Sequence, residues 1–190
     1  MPSEQRLSAD EQAEFPTIIR TVAGSEVHGT GLGDQVSDID HMAIAVESID
    51  AVMGLDQSPA LWTYRTVHGL ADASQGLHAR SGAGDLDLTI YPLRKWAALA
   101  AAGNPSVMVP LFCERKYVLS SSRLGRSLRK NRHRFVTHRL ARRHLGYAVR
   151  QRARMEGDLA GNVSRPELVS EWGYDVKFAA HYLRLGYQGL

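Results

Sequence analysis

The segment AGSEVHGTGLGDQVSDIDHMAIAV, residues 23 to 46, constrains this chain more tightly than any other. An apolar run, Thr17 to Ala23, leads into Gly24-Ser25, and a loop containing Gly29, Gly31 and Gly33 follows. Asp38 and Asp40 then open a second apolar run, His41 to Val46. On an extended strand, residues two apart point to the same face, so both carboxylates aim at one place. Hard divalent cations such as Mg²⁺ bind through one or two carboxylates together with substrate phosphates. A Gly-Ser turn just upstream allows close backbone approach to a phosphate, because glycine has no side chain in the way.

A third acidic position lies further along. In GDLDLTIYPL, Asp85, Asp87 and Thr89 alternate with Leu86, Leu88 and Ile90, the pattern of a strand with one polar face. Two metal ions holding an in-line displacement need about three acidic groups converging from different strands. Asp38 and Asp40 with Asp87 or Asp85 meet that need.

The remaining elements follow from periodicity and punctuation. A short helix is expected over 3–14 with Ser8 as N-cap, strands over 17–23 and 39–46, and a helix from Ser48 to Leu55. LWTYRTVHG reads as extended, and Gly69 to Gly84, rich in Gly, Ala and Ser, as a loop. Pro92 can start a helix that ends at Gly103, Ser106 can cap a short apolar helix through Phe112, and helices are expected over 121–133, 138–156 and 174–188, with a break from Gly157 to Pro166. The expected fold is α+β. A small mixed sheet occupies residues 1–103, and a basic helical region, 104–190, packs on it.

Charge is distributed unevenly along the 190 residues. Residues 1–60 hold eleven acids and two arginines, whereas Arg115 to Met155 contains fourteen Lys/Arg and no Asp or Glu. That asymmetry points to a polyanionic partner for the second half. Arg129, Lys130, Arg132, Arg139, Arg142, Arg143 and Arg150 are the candidates for contacting a phosphate backbone. Cys113 is the only cysteine, which excludes an internal disulfide framework and fits a reducing, cytoplasmic compartment. No apolar run approaches the ~20 residues of a membrane span, and the polar N-terminus lacks a signal-peptide core. HGTGLGD lacks the spacing of a dinucleotide fingerprint, and His138, His144 and His181 form no zinc motif.

The ordered motifs resemble the nucleotidyltransferase fold of the DNA polymerase beta superfamily. The similarity is closer to the bacterial and phage nucleotidyltransferases associated with RNA repair. The pieces are Gly24-Ser25, Gly29-Thr30, Ser37-Asp38-Ile39-Asp40, Asp87 before Leu93-Arg94-Lys95, Gly103-Asn104-Pro105, and the helix carrying Lys177, His181 and Arg184. They extend from about residue 22 to 186.

The resemblance implies that Asp38, Asp40 and Asp87 hold Mg²⁺ or Mn²⁺ and that Asp87 helps activate an attacking hydroxyl. It prefers Asp87 over Asp85 through the spacing to Tyr91 and LRK. It also implies that Gly24, Ser25, Ser37, Lys95, Lys177, His181 and Arg184 contact a nucleoside triphosphate. The reaction expected is transfer of a nucleoside monophosphate to a hydroxyl with release of pyrophosphate, RNA being the favoured acceptor. A protein side chain or a small molecule is an alternative acceptor. A non-catalytic nucleic-acid-binding module, or a regulatory partner protein, is the alternative class. Location in the cytoplasm, or in a host's cytoplasm for a phage protein, goes with that reading.

Overall fold

The computed structural model describes residues 4–29, 38–56, 58–67, 70–71, 82–156 and 166–190. Contacts divide the chain into two compact units, Met1–Ala100 with Ser106–His133, and Ala101–Pro105 with Arg134–Leu190. The basic half of the sequence is therefore shared between the units, and Ser106–His133 belongs with the acidic first hundred residues.

The first unit contains, in chain order, β1 (Glu4–Arg6), α1 (Ala9–Glu14), β2 (Thr17–Val22), α2 (Gly24–Val27), β3 (Ile39–Ala45), α3 (Ile49–Met53), β4 (Leu61–Val67), β5 (Leu70–Ala71), β6 (Leu86–Pro92), most of α4 (Leu93–Ala101), α5 (Val109–Phe112), β7 (Val118–Ser121) and α6 (Arg123–Lys130). The sheet is mixed, in the order β1-β4-β6-β3-β2-β7, with β5 on β4. β3 and β6 run parallel at its centre, Asp40 opposite Asp87 and Ile44 opposite Tyr91. β2 is antiparallel to β3, and β7 is antiparallel to β2.

Period-two alternation gives the sheet two different faces. Ala43, Ala45, Leu88, Ile90, Trp62 and Tyr64 face one way and bury a core with Leu7. Phe15, just after α1, tilts its ring against Trp62 with centroids 5.0 Å apart. On the other face Ala23, Val109 and Cys113 pack with Val27, Met42, Tyr117 and Val118. The same face carries the carboxylates of Asp40 and Asp87 at its far edge, because both residues are even-numbered steps from Met42 and Thr89.

Several boundaries differ from expectation. The helix expected over 3–14 is split. Glu4–Arg6 pairs in parallel with Leu61–Thr63, and the helix begins only after Ser8. There a capping box forms: the Glu11 amide donates to Ser8 Oγ and the Ser8 amide donates to the Glu11 carboxylate. Ser106 does not cap a helix; it lies inside a 3₁₀ turn, Pro105–Met108, and α5 starts at Val109. Val118–Ser121, in the half read as helical, adds a strand to the sheet edge. Most of the expected loop from Gly69 to Gly84 lies outside the described residues.

The second unit contains α7 (His138–Met155), α8 (Pro166–Trp172) and α9 (Val176–Gly189). Helix α8 starts where the sequence suggested only a break. α7 and α9 pack against each other. Leu140, His144 and Ala148 of α7 and Leu185 of α9 are buried. Asp175 caps α9 by accepting from the amides of Lys177 (2.9 Å) and Phe178 (3.3 Å).

A candidate metal and nucleotide site

Asp38, Asp40 and Asp87 converge. Each offers a carboxylate oxygen, and the three oxygens lie within 4.8 Å of one another. Asp38 precedes β3 and is exposed; Asp40 and Asp87 are half-buried. Register explains the meeting: parallel pairing sets Asp40 beside Asp87, and two residues back on the same face is Asp38. The start of β3 is tied down on both sides. The Ile39 amide donates to the Asp85 carbonyl and the Ala23 amide to the Asp40 carbonyl, both at 2.7 Å.

Gly24 borders this cluster directly. Its backbone has φ +67°, and an added Cβ would lie 2.0 Å from Asp40 Oδ2. The left-handed conformation and the missing side chain are therefore both required at this residue. Ser25 follows in the first turn of α2 and is half-buried. Ser37 lies outside the described residues.

Asp85 and Asp87 separate cleanly. Strand β6 begins at Leu86, and Asp85 does not share the polar face of Asp87. It is 1% exposed, with one oxygen accepting from Thr66 Oγ1 (3.1 Å) and the other from the Gly82 amide (2.7 Å). Thr66 Oγ1 in turn accepts from the Leu86 amide at 2.7 Å. Asp85 is thus neither solvated nor aimed at the cluster; it shapes the turn that delivers Asp87. Asp85→Asn, which turns an acceptor of two donors into a partial donor, is expected to lower stability by about 1–3 kcal/mol. Turnover per folded molecule should stay within a few-fold of the parent. A thermal melt paired with an activity titration checks both, and a complete loss of turnover in well-folded protein would reassign the third carboxylate.

Arg65, which no motif singled out, also belongs here. It lies across from Asp87 in the β4–β6 ladder, with Nε 3.6 Å from Asp87 Oδ2. The alternation in LWTYRTV, which buries Trp62 and Tyr64, was the available signal, since it places Arg65 on the opposite, carboxylate-bearing face.

On the far side of the sheet, Arg20 NH2 lies 3.1 Å from His41 Nδ1 and its NH1 donates to Gln12 Oε1. Burial, and then the Arg20 charge, push the His41 imidazole down to about 4. His41 is therefore neutral near pH 7, its Nδ1 accepting from Arg20, and it supports β3 rather than joining the cluster.

Other expected residues are placed differently. Lys95 follows the distal end of β6; Asp87 and Pro92 are five strand residues apart, about 16 Å. The structure therefore does not bring Lys95 to the carboxylates. The adjacent Arg94 amide donates to the buried Glu47 carboxylate at 3.2 Å, which anchors the start of α4. Arg129 donates to the carbonyls of Pro110 and Cys113, each at 2.7 Å. Arg132 lies over the Phe112 ring at 5.8 Å. These two arginines brace the end of α5, so backbone packing already uses the groups expected to meet phosphates.

Lys130, Arg139, Arg142, Arg143 and Arg150 are exposed. Lys177, His181 and Arg184 lie along α9 in the second unit. Lys177 is exposed, while His181 Nδ1 and Arg184 Nε are buried without a hydrogen-bond partner among the described residues. Burial lowers the pKa of both groups, and for His181 the Arg184 and Lys177 charges add to that effect while Asp175 opposes it.

No helix among the described residues is long and apolar enough to cross a membrane. Residues 3–190 match the model of a family described as RlaP, the RNA repair pathway DNA polymerase beta family. No curated protein and no solved structure matches the chain.

Proposed function

Because the chain belongs to the RlaP family of polymerase-beta-type nucleotidyltransferases, we propose that it is a metal-dependent enzyme that moves a nucleoside monophosphate from an NTP to a hydroxyl acceptor. The observation that carries this reading is the meeting of Asp38, Asp40 and Asp87 within 4.8 Å, with Gly24 pressed against Asp40. An all-oxygen donor set from two adjacent strands suits a small hard cation, Mg²⁺ or Mn²⁺. Bound there, the cation would neutralise phosphate charge and polarise the reacting oxygens.

The chain's own residues then have distinct tasks. Asp38, Asp40 and Asp87 would hold the cation, and Asp87 would also take the proton of the acceptor hydroxyl. Arg65 keeps the Asp87 carboxylate oriented. The open backbone at Gly24-Ser25 receives the terminal phosphates. The acceptor oxygen attacks the α-phosphorus, the bond from that phosphorus to the bridging oxygen breaks, and pyrophosphate leaves. Such transfers depend on positioning and charge stabilisation more than on covalent catalysis. RNA is the proposed acceptor, because the stretch from Arg115 to Met155 holds fourteen cations and no acids, and those not engaged by carbonyls or acids would give phosphate-backbone affinity without base readout.

Pyrophosphate release is the test: each of the four NTPs with Mg²⁺ or Mn²⁺, and pooled RNA as acceptor. Release that requires metal and favours one NTP is expected. If neither release nor metal-dependent NTP binding is seen with any of the four, the enzymatic reading falls and the non-catalytic module takes its place.

A further inference from the structure

We propose that the groove between the outer edge of β7 and helix α6 is the track along which the acceptor's single-stranded phosphate backbone enters the first unit. This rests on the nucleotidyltransferase reading with RNA as acceptor, and it assigns the acceptor's contacts to Arg115 and Arg126, which lie outside the candidates named so far.

The groove has a volume of about 480 Å³ and is lined by Arg115, Val118, Leu119, Ser120, Ser121, Arg126 and Arg129. β7 is the last strand of its sheet among the described residues. A free sheet edge normally carries some protection against a second strand; here it is flanked by guanidinium groups. Neither Arg115 nor Arg126 makes an ion pair among the described residues. Arg126 donates to the Ser121 carbonyl at 2.8 Å, which fixes its position and leaves the rest of its fork available. Nearby, Glu114 is engaged by Lys116 at 3.2 Å. Guanidinium forks interleaved with hydroxyls suit successive phosphates and riboses, and exposed Leu119 offers an apolar surface for a base.

The groove is built, not incidental. Helix α6 sits so close to β2 that a Cβ on Gly125 would lie 2.2 Å from the Ile18 carbonyl oxygen. Arg129 locks the helix from its other end. The groove also leads toward the carboxylates. Val118 packs in the cluster of Ala23 and Met42, on the carboxylate face. Tyr117 donates its hydroxyl to the Glu26 carbonyl at 3.2 Å, joining the residue just before β7 to the helix that begins at Gly24. β7 is two strands from β3, ~10 Å at ordinary strand spacing.

The test uses the full chain with Arg115→Ala/Arg126→Ala, and Arg115→Ala alone as the variant least able to disturb the fold. Fluorescence anisotropy follows a labelled oligouridylate across a salt series, with steady-state pyrophosphate release alongside. The double variant is expected to bind at least about tenfold more weakly, with the log–log salt slope shallower by about 1. KM for RNA should rise while metal-dependent NTP binding is unchanged, and the single variant should show part of each effect. Parent-like RNA affinity and slope in both variants, with loss on changing Arg139, Arg142 and Arg143, would overturn the groove and leave the enzyme reading standing. Absence of RNA binding or turnover in the parent would instead overturn the RNA-acceptor reading, and the groove with it. Equal weakening toward polyglutamate and oligouridylate would assign the groove to an acidic protein strand and overturn it as an acceptor track.

Discussion

Replacing Asp38 and Asp40 together by alanine is expected to lower pyrophosphate release by ~10³-fold or more without unfolding the protein. The reasoning concerns charge. Three carboxylates with oxygens inside 4.8 Å repel one another; Arg65 offsets part of the charge on Asp87, and a bound cation would offset the rest. Removing two of them abolishes the cation's seat and relieves the repulsion. The backbone contact that positions β3 here, the Ala23 amide on the Asp40 carbonyl, survives the substitution. The metal-free melting temperature should therefore hold or rise. Mg²⁺ should raise it in the parent, by mass action on the folded state, and leave the variant unmoved. A variant that melts well below the parent, or that retains turnover, would count against the carboxylates as the metal seat.

Gly24→Ala is expected to damage both stability and activity, and it separates geometry from charge because no carboxylate is lost. The position demands φ +67° and leaves 2.0 Å between the new Cβ and Asp40 Oδ2. The left-handed conformation costs about 1–2 kcal/mol for a residue with a Cβ, and overpacking typically adds about 1–3 kcal/mol. The melting temperature should fall by several degrees. The larger effect is on catalysis: Asp40 must move, and a displacement near 1 Å costs about 10²-fold. Gly29→Ala is the control, since it shares a positive φ of +60° but meets no atom within 4 Å among the described residues. It should lose some stability and little activity. Comparable kcat/KM losses in the two variants, measured well below both melting temperatures, would remove the steric account of Gly24.

The centre of the molecule was legible because its signals are local. The runs at 17–23 and 39–46 and the alternation of Leu86, Leu88 and Ile90 each mark a strand from its own residues, and Ser48 and Ser8 cap helices where expected. What the sequence did not show depends on partners far along the chain. β1 is three exposed residues, with no periodicity, that become a strand only by pairing with β4. β7 is four residues whose identity as a strand comes from β2, about a hundred positions earlier. The face assigned to Asp85 differed for the opposite reason. Alternation placed it beside Asp87, but a glycine turn at Gly82–Gly84 lets its carboxylate fold back onto the Gly82 amide, and alternation holds only inside a strand. Arg129 was read as a charge, whereas carbonyls freed at the end of a short helix claim it. The pairing of the three acids was anticipated; the arginine beside Asp87 was not, since its place follows from the β4–β6 register.

The parallel pairing of β3 with β6 has a consequence for how this protein comes into being. Asp40 and Asp87 are neighbours only across that ladder, and forty-six residues lie between them in the chain. Contacts of such long sequence separation form late, after the loop between them has closed. A ribosome-bound chain that has not yet released β6 displays Asp38 and Asp40 but cannot assemble the trio. On the proposed function, the cation seat would thus arrive together with the completed sheet centre, and an unfinished or misregistered chain is expected to turn over no nucleotide.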